Sequence, residues 1–447
     1  MARDPRFVTI ESTDIRIFES ICGPNYVKTE GIGNYTTDWT KAFKVKCMHD
    51  EKKTTQAGNT GLVGGGVPVH DEVIISIKRI RQNFSFNENT GTLSCDAGFL
   101  LEELDNRLAP YGYMMPYDLG AKGSCMVGGN VATNAGGIRL LRYGSLHAHV
   151  LGLTVVLPTE EGTVVKLGSA LRKDNTSLHT PHLFLGSEGQ LGLITHVTMT
   201  TVPRPTSVQS AMIGVETFES CCNVLRLARR HLSEILSSFE FLDREAIRLL
   251  EETLSLKPIL QSNPRFTVLV ETSGSNEEHD AMKLERFLED CFSSGVAVDG
   301  IQAQSCAESS AMWRLRESAP LAVSADGFAY KNDVSLPLKH FYQLTEEIRA
   351  RCVKLAKNIV TYGHLGDGNS HLNVTSEGYS QELYDSLYPF LYEWVVAHGG
   401  SISAEHGIGQ LKLPHSSLGK SAAERDLVRK IKAMFDPNGI LNPYKTF

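Results

Sequence analysis

The residues best suited to chemistry are two histidines and an acid–base pair in the C-terminal third of the chain. His364 and His371 flank a glycine-rich turn, and Glu405 and His406 are adjacent in the chain. Two imidazoles and one carboxylate, with one coordination position left open, are typical ligands of a catalytic zinc ion. Because adjacent side chains cannot easily point at one ion, Glu405 as a ligand leaves His406 free as a general base.

The turn between the two histidines contains Asp367, which is a competing candidate ligand. Aspartate followed by glycine is typical of a tight turn, and we interpret Asp367 as a turn residue. A histidine on a hairpin is more often a packed or capping residue than a metal ligand. The spacing alone therefore leaves both a metal site and a structural role open for His364 and His371.

A β-hairpin is the element that would bring these histidines together. Residues 358–374 predict a strand, a turn and a returning strand. His364 and His371 would then face each other across the open end of the hairpin. Strand alternation places His371 and Asn373 on one face. A second short strand is predicted to end at Glu405.

Three glycine-rich loops in the first half of the chain suggest a site for a nucleotide pyrophosphate. Glycine readily lets consecutive backbone N–H groups converge on an anion. The loop that begins at Gly58 lacks the GxGxxG spacing and precedes a predicted strand at 73–77, so it is not a dinucleotide-binding fingerprint. A phosphate would therefore lie in a nest of loop amides. Simple turns between strands are the alternative interpretation.

Composition excludes several classes of protein. The chain has 447 residues, a formal net charge of −7 and 41% hydrophobic residues, and this mild acidity gives no general attraction to nucleic acid. No run approaches the ~18 apolar residues of a membrane span. Nine cysteines without a CxxC motif indicate a reducing compartment rather than a disulfide framework. The first 20 residues contain acids that a transit peptide would lack, so a targeting segment was removed or never present.

The predicted fold class is α+β with two or three domains, since a domain has about 100–200 residues. A boundary is expected at the double proline near residue 204, which separates a first domain at 1–204 from a second at 205–447. Helical spacing of apolar residues marks three segments of the second domain: 218–236, 280–292 and 380–398. Ser421 begins a capping box and hence a last helix.

The glycine loops closely resemble the flavin-contacting loops of FAD-dependent D-2-hydroxyacid dehydrogenases of the vanillyl-alcohol-oxidase type. The segments that carry the resemblance are Gly58–Gly65, Leu119–Gly137 and Gly186–Thr195. The resemblance implies a PCMH-type FAD-binding domain, followed by an α+β substrate domain with a C-terminal helical segment. It implies FAD bound without a covalent link, since His147 and Cys125 are not obviously placed for attachment.

The same resemblance assigns glycines and small polar or acidic residues of these loops to FAD binding. They are Gly58, Asn59, Thr60, Gly61, Gly64, Gly65, Gly123, Ser124, Gly128, Gly129, Asn130, Thr133, Asn134, Gly136, Gly137, Glu188, Gly189 and Gly192.

The histidine and glutamate motifs are similar to those of the D-2-hydroxyglutarate dehydrogenases within this family. The resemblance implies that His364, His371 and Glu405 bind Zn²⁺. It further implies that His406 takes the hydroxyl proton and, together with Asn373, contacts the substrate.

A dicarboxylic substrate needs a cation for its second carboxylate. Arg316 and Lys331 would ordinarily be solvated surface charges. The residues around them, however, resemble those with which these enzymes hold the distal carboxylate, which implies a bidentate contact from Arg316 and a point charge from Lys331. Pro320 stands where the family has a threonine, so one expected hydrogen bond to the substrate is missing.

The resemblance therefore implies oxidation of D-2-hydroxyglutarate to 2-oxoglutarate. Zinc would lower the pKa of the hydroxyl group, His406 would accept its proton, and hydride would pass to FAD. Reduced flavin would deliver electrons to an electron-transfer flavoprotein or a similar acceptor in mitochondria. The alternatives are a D-lactate or D-malate dehydrogenase of the same family and a flavin-deficient, inactive variant.

One departure concerns the segment before Gly58. Compared with the family pattern it is short by on the order of 20 residues, which corresponds to about one strand and one helix. Ala57 also replaces the first glycine of the loop. We expect a missing βα unit to leave the pyrophosphate nest poorly held, because a nest binds well only when its backbone is preorganised.

Overall fold

A computed structural model of the protein describes residues 10–44, 53–70 and 72–446. The chain forms two compact units. The first unit is built from residues 1–135, 145–203 and 406–447. The second unit is built from residues 136–144 and 204–405.

The helices and strands are numbered in chain order over the described residues. The α-helices are α1 Ser12–Cys22, α2 Gly33–Thr36, α3 Leu101–Leu108, α4 Val127–Thr133, α5 Leu140–Tyr143, α6 Phe218–His231, α7 Arg244–Leu254, α8 Glu277–Ser293, α9 Cys306–Glu317, α10 Ala319–Asp326, α11 Leu338–Phe341, α12 Gln343–Cys352, α13 Gln381–Leu387, α14 Phe390–Ala397 and α15 Ala422–Phe435. The strands are β1 Lys53–Gln56, β2 Val73–Ser76, β3 Phe84–Asn87, β4 Thr92–Asp96, β5 Tyr113–Met114, β6 Val150–Val156, β7 Val164–Gly168, β8 Leu193–Thr200, β9 Val202–Pro203, β10 Ser207–Val215, β11 Leu236–Asp243, β12 Phe266–Gly274, β13 Asp299–Gln302, β14 Phe328–Ser335, β15 Asn358–His364 and β16 Asn369–Ser376. None of the helices in these parts of the chain has the length and apolar character needed to span a bilayer.

The first unit is organised around a five-stranded antiparallel sheet with the order β3-β4-β8-β6-β7. Alternate residues of β4 and β8, such as Leu93 and Val197, are fully buried against apolar side chains of α3 and α4. Each such side chain contributes about 1.5–3 kcal/mol to folding. β6 and β7 are neighbours in the chain and form an antiparallel hairpin in this sheet.

A separate two-stranded sheet supports the first glycine loop. β1 leads directly into this loop and pairs in parallel with β2, so the loop forms the crossover between the two strands. Residues 45–52, which belong to the short segment between Trp39 and Gly58, lie outside the described residues. The missing βα unit therefore stays a prediction.

The second unit contains a seven-stranded antiparallel sheet with the order β13-β10-β12-β11-β15-β16-β14. Strand alternation sends Phe239 and Phe241 of β11 to a core that also contains side chains of α6 and α8. Leu242 of β11 and Tyr362 of β15 belong to a core with α7, α9 and α10 on the other face. Glu240 lies between Phe239 and Phe241 in the strand, so its side chain points to this second face.

Several predicted element ends differ from the structure. The helix predicted at 380–398 is broken into α13 and α14 at Pro389, because proline lacks the N–H that a continuous helix needs. The helix predicted at 218–236 ends at His231, since Leu236 already belongs to β11. The strand predicted before Glu405 is only an isolated bridge between Ser335 and Ser401. The N-cap predicted at Ser421 is confirmed by a 3.1 Å hydrogen bond from the Glu424 amide to Ser421 Oγ, but the Glu424 carboxylate pairs with Lys420 instead of completing the capping box.

Candidate metal centre and flavin-binding loops

The predicted histidine hairpin is confirmed as β15 and β16. The two strands pair antiparallel, with His364 opposite Asn369 and Tyr362 opposite His371. The imidazoles of His364 and His371 approach edge to face, with 5.3 Å between ring centroids and 83° between ring planes. The hairpin register therefore places both candidate ligands on one face of the sheet.

Glu405 completes a group of three possible metal ligands. Oε1 of Glu405 lies 3.4 Å from Nε2 of His364. One donor atom from each of His364, His371 and Glu405 lies within 4.8 Å of the other two. A tetrahedral zinc ion with bonds of about 2.0–2.1 Å holds its ligand atoms roughly 3.4 Å apart. A small inward movement of these side chains would let them hold zinc.

Asp367 is exposed, whereas the three candidate ligands are largely buried. Its Oδ1 accepts a 3.1 Å hydrogen bond from the backbone amide of Asn369. This contact closes the turn between β15 and β16. Aspartate commonly stabilises turns in this way, by accepting the backbone amide two residues later.

Two buried carboxylates support the candidate ligands, and sequence reasoning missed both. Glu240 accepts a 2.9 Å hydrogen bond from Nδ1 of His364. Asp333 accepts the backbone amides of Ala404 and Glu405 at 3.1 and 3.0 Å. For Glu240 the available signal was an acidic residue between Phe239 and Phe241, since an acid in such an apolar position is rarely buried without a partner.

These charges set the protonation of the site. Burial disfavours a charged imidazole at His364, but Glu240 and Glu405 outweigh this effect and raise the pKa of His364 to about 9. Burial raises the pKa of Glu405, although the charge of His364 opposes the shift. Without a metal ion, His364 is therefore protonated at neutral pH.

We expect zinc to bind more tightly as the pH rises. The ion must displace the proton of His364, whose pKa is raised to about 9, so affinity should increase about tenfold per pH unit below that value. Competition with a chelator, corrected for the chelator's own titration, measures the zinc dissociation constant between about pH 6.5 and 9. A constant that does not change over this range contradicts the assignment of His364 as a ligand.

The predicted substrate cation Arg316 is 5% exposed, not solvated. Its Nη2 lies 2.8 Å from Oε2 of Glu240, and its guanidinium lies 5.2 Å from the centre of the Tyr362 ring. Nε of Arg316 finds no hydrogen-bond acceptor among the described residues. A buried guanidinium with an unfilled donor is suited to hold a further carboxylate.

Lys331 and Asn373 lie opposite each other on β14 and β16. The Lys331 ammonium donates a 3.1 Å hydrogen bond to Oγ of Ser324 in α10. Nδ2 of Asn373 donates to the carbonyl of His371 at 3.1 Å. Both predicted substrate contacts thus lie on the strands next to the histidines, with Asn373 on the face that carries His371.

The first glycine loop has backbone amides available for a ligand. No amide from Asn59 to Gly66 donates a hydrogen bond to another described residue. Asn59 and Gly64 have left-handed φ angles of 53° and 71°. Successive residues of opposite handedness create concave amide clusters that bind anions. The loop is therefore suited to hold the pyrophosphate of a nucleotide.

The second and third loops pack closely around the first unit's core. A Cβ atom on Gly58 would collide with the carbonyl of Ser124, and one on Gly129 would lie 2.7 Å from Cβ of Ala57. The amide of Glu188 donates to the carbonyl of Ala132 at 2.8 Å. Some of these glycines are thus required by loop packing, whatever the loops bind.

Comparison with known proteins decides the family. The model for the FAD binding domain matches residues 36–168, and that for the C-terminal domain of FAD linked oxidases matches residues 204–446. The mitochondrial D-2-hydroxyglutarate dehydrogenase of Arabidopsis thaliana is 43% identical over 466 residues, which cover 99% of this chain and 83% of that protein. The chain belongs to this family of FAD-dependent hydroxyacid dehydrogenases.

Two further comparisons agree. The mitochondrial D-2-hydroxyglutarate dehydrogenase of Rattus norvegicus is 49% identical over 391 residues, or 88% of this chain and 72% of that protein. The solved structure of p-cresol methylhydroxylase matches with a TM-score of 0.70 at 13% identity, covering 89% of this chain and 84% of that one. The α+β fold with a PCMH-type FAD-binding domain is confirmed, and the names of the relatives support a mitochondrial location for the dehydrogenase.

The Arabidopsis comparison also bears on the length of the chain. Its 466 aligned positions exceed the 447 residues of this dehydrogenase, so at least 19 of them are positions at which this chain has no residue. The missing strand and helix before Gly58 stay a prediction.

Some residues predicted to bind FAD have other partners in this dehydrogenase. The amide of Gly137 donates a 3.2 Å hydrogen bond to Oε1 of Glu405, and Gly136 lies beside the same carboxylate. The carboxylate of Glu188 accepts the amides of Ile408 and Gly409 at 2.8 and 2.9 Å. These contacts hold the two loops in place, and the loop motifs did not predict them.

Proposed function

We propose that this dehydrogenase oxidises D-2-hydroxyglutarate to 2-oxoglutarate with FAD and a zinc ion. The observation that carries the proposal is the convergence of His364 and His371 of the hairpin with Glu405 of a following loop, together with the buried Arg316 of α9, whose Nε has no acceptor among the described residues. A 2-hydroxyacid with a second carboxylate matches this combination, because the metal and the guanidinium bind different ends of the molecule. The names of the relatives support the same substrate.

The residues His364, His371 and Glu405 would hold the zinc ion. When bound, zinc supplies Lewis-acid polarisation of the 2-hydroxyl, and FAD supplies the hydride acceptor. His406, the next residue in the chain, accepts the hydroxyl proton as general base. Asn373 orients the substrate from the strand that carries His371.

The distal carboxylate is bound by Arg316 and Lys331. Pro320 lacks the hydroxyl that the family has at this position, and it begins the first turn of α10. Ser324 lies one helical turn later, where its hydroxyl contacts Lys331 at 3.1 Å. This serine positions the lysine and offers a nearby hydroxyl in the same helix.

FAD is held by the first unit. The free amides of the loop that begins at Gly58 bind the pyrophosphate, and the loops at residues 119–137 and 186–192 form the remaining contacts. FAD bound there would supply the electrons that an electron-transfer flavoprotein or a similar acceptor takes up.

A flavin-deficient variant is the second candidate. The short segment before Gly58 favours it, because it lacks about one strand and one helix of the family pattern. A two-stranded β1–β2 sheet would then hold the nest less firmly. Such a protein would keep its metal site and bind hydroxyacids without oxidising them.

We expect the purified protein to carry flavin and to lose its flavin absorbance when mixed anaerobically with D-2-hydroxyglutarate. The L enantiomer is the matched control and should leave the absorbance unchanged. Bound zinc is measured on the same sample by elemental analysis. Zinc without flavin supports the inactive variant, and equal bleaching by D-lactate and D-2-hydroxyglutarate contradicts the diacid assignment.

A further inference from the structure

The carboxylate of Glu240 contacts both the metal ligand His364 and the substrate cation Arg316. Oε1 of Glu240 accepts a 2.9 Å hydrogen bond from Nδ1 of His364. Oε2 lies 2.8 Å from Nη2 of Arg316. The glutamate is 1% exposed, so solvent does not compete for either oxygen.

The first contact fixes which imidazole nitrogen can bind a metal. Because Nδ1 is held against Glu240 as a donor, Nε2 is the nitrogen that can bind a metal ion once it has lost its proton. Nε2 is also the atom that lies 3.4 Å from Oε1 of Glu405. A carboxylate behind a metal-bound histidine fixes its tautomer and makes the nitrogen a better ligand.

The second contact fixes the guanidinium of Arg316. An arginine side chain has several rotatable bonds, and holding it in one position costs conformational entropy. Glu240 holds one edge of the guanidinium and neutralises its charge before any substrate binds. Nη2 is taken by Glu240, whereas Nε has no acceptor among the described residues, so one donor of the guanidinium is left.

We propose that Glu240 is a positioning residue that sets metal affinity and diacid selectivity together. This inference rests on the proposed function. Glu240 holds both His364, the metal ligand at the 2-hydroxyacid end, and Arg316, the cation for the distal carboxylate. Its strand, β11, pairs directly with β15, which carries His364. A change in its carboxylate must therefore alter both ends of substrate recognition.

The test replaces Glu240 by glutamine, which keeps the shape and has a single acceptor oxygen. Its NH₂ group must face either His364 or Arg316, where it meets another donor. We expect the zinc dissociation constant to rise about 10–100-fold, as for other changes behind a metal ligand. The ratio of kcat/KM for D-2-hydroxyglutarate to that for D-lactate, measured on zinc-saturated enzyme, should fall about tenfold or more.

Asp243→Asn is the matched control. Asp243 is a buried acid on the same strand, and it pairs with Arg349 at 2.7 Å instead of with residues of the site. We expect this variant to keep the parent's zinc affinity even if it is less stable. Its ratio of kcat/KM for D-2-hydroxyglutarate to that for D-lactate should also equal that of the parent. Flavin absorbance and a thermal melt report on the folding of each variant.

If Glu240→Gln does not fold, Glu240→Asp retains the charge but withdraws it by about 1.5 Å, the length of one carbon–carbon bond. It cannot reach both partners and should show the same two losses. Parent-like zinc affinity or a parent-like diacid ratio in a folded variant overturns the inference and leaves the proposed function intact. If the parent protein binds no zinc, both the inference and the proposed function are contradicted.

Discussion

His364→Ala should abolish turnover of D-2-hydroxyglutarate while leaving bound flavin at the parent level. The substitution removes one of the three proposed zinc ligands, His364, His371 and Glu405. Loss of Lewis-acid stabilisation is worth several kcal/mol in the transition state, so kcat should fall by about a thousandfold or more. Steady-state rates with an artificial electron acceptor, zinc content and the flavin spectrum are measured on one preparation.

Flavin retention separates loss of the metal from loss of the fold. His364 belongs to the second unit, whereas the glycine loop with the free amides belongs to the first. His340→Ala is the matched control, because His340 is also in the second unit but contacts His398 and Trp394. Turnover by His364→Ala at the rate of this control would show that the histidine is structural.

Arg316→Ala should weaken activity on D-2-hydroxyglutarate far more than activity on D-lactate. A hydrogen bond to a charged group contributes about 1.5–3 kcal/mol, which corresponds to roughly 10–150-fold in kcat/KM for the diacid. D-lactate has no distal carboxylate, so kcat/KM for D-lactate, expressed per bound zinc ion, should change little. The measurement is kcat/KM for both acids on zinc-saturated enzyme.

A second, less destabilising variant is needed because Arg316→Ala breaks the buried ion pair between Arg316 and Glu240. Removing one partner of such a pair costs about 3–5 kcal/mol of stability. Lys331→Ala removes a partly exposed cation on β14 and should lower the same ratio without this cost. Equal losses on both acids in the two variants would argue against a distal clamp.

Local sequence patterns predicted the elements of the site well. Alternating apolar residues and the Asp367-Gly368 turn predicted the hairpin, because the strand period and the turn geometry are encoded within a few residues. The glycine loops were recognisable for the same reason, since amide clusters depend on left-handed positions that only a few residue types adopt readily.

Element ends were predicted less well. The break at Pro389 follows from the missing N–H of proline, which a hydrophobic periodicity of 380–398 does not register. The end of α6 at His231 is decided by the pairing of β11 with β12 and β15, which lie far away in the chain.

The sequence by itself determined the family, the hairpin and the types of side chain available to bind metal and carboxylate. Only the tertiary structure decided that Glu240 lies behind both His364 and Arg316, and that Asp333 holds the backbone of Glu405. The reason is physical. A buried charge is stabilised by partners that come from distant segments, and the sheet order that brings those segments together is set by the packing of the whole unit.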